Sequence, residues 1–125
     1  MTPRQVRASS SSAAQRHLDR MLRGSHPPGH YHWHHVLGVL DVVAGRHTAA
    51  HVALLRRVAR YQGTLQIDHR YGISHAMPPE EVLRCIAVRA LGRWDRRKHG
   101  ALIREVAERA EYPIVAQVAQ EALKA

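Results

Sequence analysis

The stretch Leu83–Ala125, LRCIAVRALGRWDRRKHGALIREVAERAEYPIVAQVAQEALKA, decides how this chain reads. Its series Leu83, Ile86, Ala87, Ala90, Leu91 recurs 32 positions later as Val115, Val118, Ala119, Ala122, Leu123. Apolar residues at this spacing form one stripe of an α-helix, so two helices present the same face. Between them, Asp95 is placed to cap a helix over about 96–109, with Leu102, Ile103, Val106 and Ala110 turned inward. Helical pairs recurring at a fixed offset are the pattern of an α-solenoid.

The same pattern extends backwards. HVALLRRVA at 51–59 matches HGALIREVA at 99–107 at seven of nine positions if Ile is counted with Leu. That offset of 48 exceeds the downstream step by about fifteen residues, and Gly63–Pro78, GTLQIDHRYGISHAMP, accounts for them. Upstream of 51, His30–Gly45 carries Trp33, Val36, Leu37, Leu40, Val43 and Ala44 on one face. Gly45 stands at a capping position, and Thr48 can cap the helix that follows, making an αα-hairpin. Pro78-Pro79-Glu80-Glu81 is a helix start, with proline in the first turn and acids at the positive end of the helix dipole. Pro113 opens the last helix, which reads as the first half of a third pair.

The remaining segments break the pattern. Residues 1–11 lack apolar periodicity, whereas Ala14, Leu18, Met21 and Leu22 predict a short helix ending before Gly24. We therefore expect two regions, a basic N-terminal tail with a short helix over 1–24 and a helical-repeat domain over 25–125 with its insertion at 63–78. Within the insertion Leu65, Ile67, Tyr71 and Ile73 alternate with polar residues, as in a strand. No second strand is visible in the sequence, so the expectation is an ordered loop whose strand pairs with a partner or a second copy.

The chain has 125 residues, enough for one domain with a modest core. Seventeen arginines against Lys98 and Lys124 make it strongly basic. Residues 1–62 hold nine arginines against Asp19 and Asp41, whereas 63–125 hold ten basic and eight acidic side chains. A basic first half favours an acidic partner. Cys85 is the single cysteine, which excludes an intrachain disulfide and suits a reducing cytoplasmic setting. The Arg- and Ser-rich first residues leave an organelle transit peptide as the alternative. No run is apolar enough to span a membrane.

At the level of motifs, VLRCIAVRALGRWDRRKHGALIREVAERAEYPIVAQVAQEAL resembles HEAT-type repeats. The resemblance is to the short class, also found in phycobilin lyase-related proteins, whose first helix ends Ala-Leu-Gly and whose second carries a Leu-Ile/Leu-x-x-Val/Leu stripe. It covers about residues 82–125 well and 35–61 loosely, where Val43-Ala44-Gly45 replaces Ala-Leu-Gly. It implies an all-α, short right-handed solenoid of antiparallel helix pairs, about five to six helices in all, used as a binding scaffold. It implies no reaction and no cofactor.

On this reading the chain is a non-catalytic protein–protein interaction adaptor, its partner another, acidic protein or a second copy of itself. The candidate contacts are Asp68, His69, Arg70, Tyr71 and His75 on the insertion, and Ile114 and Val118 on the final helix. The alternative is electrostatic nucleic-acid binding along Arg46, Arg56, Arg57 and Arg60, with few aromatics for base stacking. A weaker alternative is metal binding by His30, His32, His34 and His35, whose imidazoles suit zinc, nickel or copper but have no cysteine or adjacent carboxylate beside them. His51 and His99 occupy equivalent repeat positions, which predicts a packing role for both.

Overall fold

Leu18, Val36, Leu40, Leu55, Leu83, Leu91, Leu102 and Ile103 lie within 1% of full burial and form one continuous core. The computed structural model describes residues 11–24, 31–65, 67–68 and 77–124, with the backbone alone at 11–12, 31–34 and 67–68. The regular structure of the described residues is helical apart from one pair of two-residue strands. The helices are α1 (Ser11–Leu22), α2 (Trp33–Ala44), α3 (Ala49–Arg60), α4 (Pro79–Arg109) and α5 (Pro113–Lys124). None is long and apolar enough to cross a membrane.

The short helix expected near the N-terminus is built into the core. Ala14, Leu18 and Met21 make a buried edge against α2 and α3. Arg57 of α3 donates to the Asp19 carboxylate at 2.5 Å, and Arg23 pairs with the same group at 3.0 Å. The hydrogen bond from Arg57 is the main cause holding the Asp19 pKa below the ordinary carboxylate range. Gly24 ends α1 in the left-handed region at φ 69°, a conformation only glycine adopts without strain.

The α2–α3 hairpin forms as expected. Its turn at Gly45 is followed by the Thr48 hydroxyl, which accepts from the His51 amide at 3.2 Å. In α4 the helix runs through Gly92 and breaks at Asp95, which has φ −160° and ψ 86°. The Asp95 carboxylate accepts from the Lys98 amide at 3.0 Å, so the residue expected to cap a helix also makes the turn. One residue therefore separates the first arm of α4, 79–94, from its second, 96–109. The arms fold back on each other, since Glu80 and Arg84 line the same cleft as Glu105 and Arg109.

Two lateral contacts set the packing direction. Arg56 and Arg60 of α3 meet His99 and Glu105 of the second arm, so these helices run side by side in the same sense. The first arm approaches α5 at Gly92, where an added Cβ would lie 3.0 Å from the Ala122 carbonyl oxygen. Glycine permits this spacing because it has no side chain.

The insertion corrects one expectation. Ile67–Asp68 (β2) pairs in parallel with Tyr31–His32 (β1), with Tyr31 opposite Ile67 and His32 opposite Asp68. The strand thus finds its partner within the chain, in the two residues before α2. At the near end of the insertion Leu65 is buried, and its amide donates to the Glu80 carboxylate at 3.3 Å.

Candidate functional site

His51 and His99 are both fully buried, at equivalent places near the starts of α3 and the second arm of α4. They use the same ring nitrogen in opposite ways. His51 Nδ1 lies 3.0 Å from the Arg46 carbonyl oxygen, which only accepts, so Nδ1 carries the proton. His99 Nδ1 lies 2.8 Å from an Arg56 guanidinium nitrogen, which only donates, so here Nδ1 is the acceptor. Beside them His47 stacks on Trp94, with centroids 4.9 Å apart. Burial is the main cause pushing the His99 pKa below its ordinary value. Arg56, Lys98 and His47 push the same way, and Asp95 opposes them.

A histidine held neutral in the native state binds its proton more readily when unfolded. Its contribution is complete above the unfolded pKa of about 6.5 and is lost as pH falls from there toward the depressed native value. We expect stability, and with it the melting temperature, to fall as pH drops below about 6.5, this group contributing at most about 1.4 kcal/mol of stability per pH unit. His99→Gln keeps an acceptor for Arg56 and should flatten that slope in thermal melts. An unchanged slope in the variant would refute the assignment.

The structure redistributes the residues singled out in the sequence. His69, Arg70, Tyr71 and His75 lie outside the described residues, and Asp68 is described by its backbone alone, in β2. Ile114 is 49% exposed on α5, whereas Val118 is 5% exposed. Val118 is thus mostly covered within the chain, while it also lines a cleft beside α5. It belongs to the stripe that faces the first arm of α4.

Of the four arginines expected along α3, Arg56 serves His99, Arg57 serves Asp19 and Arg60 pairs with Glu105 at 3.6 Å. They border a shallow depression over Leu22, Ala53 and Tyr61, but internal acceptors already draw on their charge. Arg46 is exposed in the preceding turn. His30 lies outside the described residues, as do the side chains of His32 and His34, while His35 meets His17 with ring centroids 4.4 Å apart. Among the described residues no three histidine, cysteine or carboxylate side chains gather as a metal site. Cys85 is buried, and that burial raises its thiol pKa, with Arg89 and Arg84 in partial opposition.

Among the described residues two further clefts differ in charge. The cleft at the root of the insertion, about 470 Å³, brings Arg60, Arg84 and Arg109 together with Glu80, Glu81, Glu105 and Glu111. Its charges answer one another. Arg84 pairs with Glu81, and Arg109 with Glu105 at 3.3 Å. Burial, reinforced by Glu80, raises the pKa of Tyr61 next to it. A neutralised cleft of this kind fixes structure better than it selects a charged ligand.

The second cleft, about 690 Å³, opens between the Asp95 break and α5. Arg89, Arg93, Arg96 and Arg97 stand around a floor of Gly92, Val118 and Ala122, and among the described residues Glu121 is the single acid lining it. None of these arginines was singled out in the sequence. The signal was there in RALGRWDRRK, where Arg89 and Arg93 are one helical turn apart and Arg96 and Arg97 follow the capping aspartate.

Comparisons with protein-family models, curated proteins and solved structures give no match.

Proposed function

We propose that this chain is a non-catalytic, HEAT-like scaffold, a short right-handed solenoid of helix pairs that binds another protein. The observation that carries the reading is the lateral register. Equivalent second helices lie side by side at Arg56–His99 and Arg60–Glu105, and equivalent first helices approach at Gly92–Ala122. Repeats stacked this way contact only their neighbours and leave extended faces for partners. The reading also draws on Ile114, an exposed branched side chain on the final helix, and on an insertion that the repeat itself does not require.

Affinity capture of the chain from its own cells tests this. A stoichiometric protein partner is expected, resistant to nuclease and weakened by Ile114→Asp or by deletion of 69–76. Recovery of the chain alone, or only with nuclease-sensitive material, would overturn it. The nucleic-acid reading through Arg46, Arg56, Arg57 and Arg60 is the less favoured, because three of those four guanidinium groups are occupied within the chain.

A further inference from the structure

We propose that the cleft between the Asp95 break and α5 is a binding site for an extended acidic peptide segment of a protein partner. The inference rests on the scaffold reading and names the face and the chemistry it would use. Its first support is local charge. Arg89, Arg93, Arg96 and Arg97 line the cleft and, among the described residues, Glu121 is the one acid lining it with them, taking a hydrogen bond from the Gln117 amide at 3.3 Å.

A second support comes from the helix dipole. The first turn of a helix is its positive end, where carboxylates are stabilising and cations are not. The start of α4 obeys this with Glu80 and Glu81. Its second arm has one acid there, the Asp95 cap, and sets Arg96, Arg97 and Lys98 immediately after it. Concentrated positive charge at a positive helix end is a local conflict, and conflicts of this kind accumulate where a ligand resolves them. An anion in the cleft meets the arginines of this turn together with Arg89 and Arg93.

The form of the cleft favours a peptide. Its floor is small and apolar, and the helices approach closely there because Gly92 has no Cβ to strike Ala122. A floor of that kind accepts the methyl and methylene groups of an extended chain, while the rim offers planar forks matched to carboxylates. Among the described residues no aromatic side chain lines the cleft, and adjacent Trp94 is stacked on His47. Base stacking, on which single-stranded nucleic acids depend, has no platform.

Fluorescence anisotropy on the full chain tests the site, using a labelled peptide of about twelve alternating Glu and Ala residues, its Gln counterpart and a single-stranded oligonucleotide of equal length. Saturable one-to-one binding of the Glu peptide is expected, weakened by salt and absent for the Gln peptide. The double variant Arg93→Glu/Arg97→Glu should weaken it roughly tenfold or more. Arg16→Glu/Arg104→Glu, with reversals on other faces, should leave it nearly unchanged. If the reversal variant does not fold, Arg93→Gln/Arg97→Gln takes its place.

Four results would overturn the site: no saturable binding, full binding by the cleft variant, an equal loss in the control variant, or tighter binding of the oligonucleotide. The two proposals fail separately. A chain that captures a partner while ignoring the peptide removes the cleft alone, and one that binds the peptide but captures no partner removes the scaffold reading alone.

Discussion

Replacing Arg84 by alanine is expected to lower the free energy of unfolding by about 2–4 kcal/mol. Arg84 lies in the first arm of α4 with its side chain 11% exposed, and it serves three acceptors at once. Its Nε donates to the Ala59 carbonyl at 3.0 Å, a second nitrogen donates to the Tyr61 carbonyl, and a third pairs with Glu81. Ala59 and Tyr61 mark the end of α3, where carbonyls lack helical partners and a cation is favourably placed. Burial lowers the Arg84 pKa while Glu80 opposes that shift, and a guanidinium so close to carboxylates stays charged.

Alanine would leave two carbonyls and one enclosed carboxylate unanswered, and stranded buried groups of that kind are expensive. Lysine should recover only part of the loss, because a single ammonium cannot span the three acceptors with a planar fork. Urea denaturation gives the stability change. Hydrogen exchange at 61–65 gives its location, since Tyr61 and the Glu80-bound Leu65 together fix the near end of the insertion. A loss below about 0.5 kcal/mol, the range of an ordinary surface change, would show that Arg84 does not hold this junction.

Most of the helical frame was legible because each boundary had a local chemical cause. Thr48 and Asp95 accept from amides three residues on, and Pro78-Pro79-Glu80-Glu81 starts α4. The role of Gly92 was not legible, because it is lateral, admitting Ala122, and lateral spacing leaves no mark on local periodicity. The strand pairing of Tyr31–His32 with Ile67–Asp68 was hidden for a related reason. Two residues are too few to show a period, and their partners are distant in sequence.

The arginine cleft was obscured by averaging. Counted by halves, residues 63–125 look nearly balanced, because Glu105, Glu108 and Glu111 follow the arginines in sequence. Folding takes Glu105 and Glu111 to the insertion root and leaves Arg89, Arg93, Arg96 and Arg97 around the other cleft. Conversely, the stripe along α3 looked like one basic surface, yet Arg57 turns to α1 while Arg56 and Arg60 turn to the second arm of α4. Charge per segment predicts net attraction, but the direction of each side chain decides which surface carries it.

The second large effect concerns the repeat itself. Leu91 and Leu123 are equivalent in sequence, but Leu91 is fully buried in the first arm of α4, whereas Leu123 only partly packs against the core at the end of α5. Leu91→Ala removes buried methyl and methylene groups and leaves a cavity that neighbours on several sides cannot close, a loss of about 3–5 kcal/mol. Leu123→Ala strips a side chain that is already partly exposed, a loss of about 1 kcal/mol. On the scaffold proposed above, the number of neighbouring helices, rather than the residue type, would set the cost of a repeated position. Equilibrium denaturation of the two variants in parallel distinguishes the cases. Equal losses would mean that the core behaves as one undivided unit, and the offset between the two helices would then describe their sequences without describing their energetics.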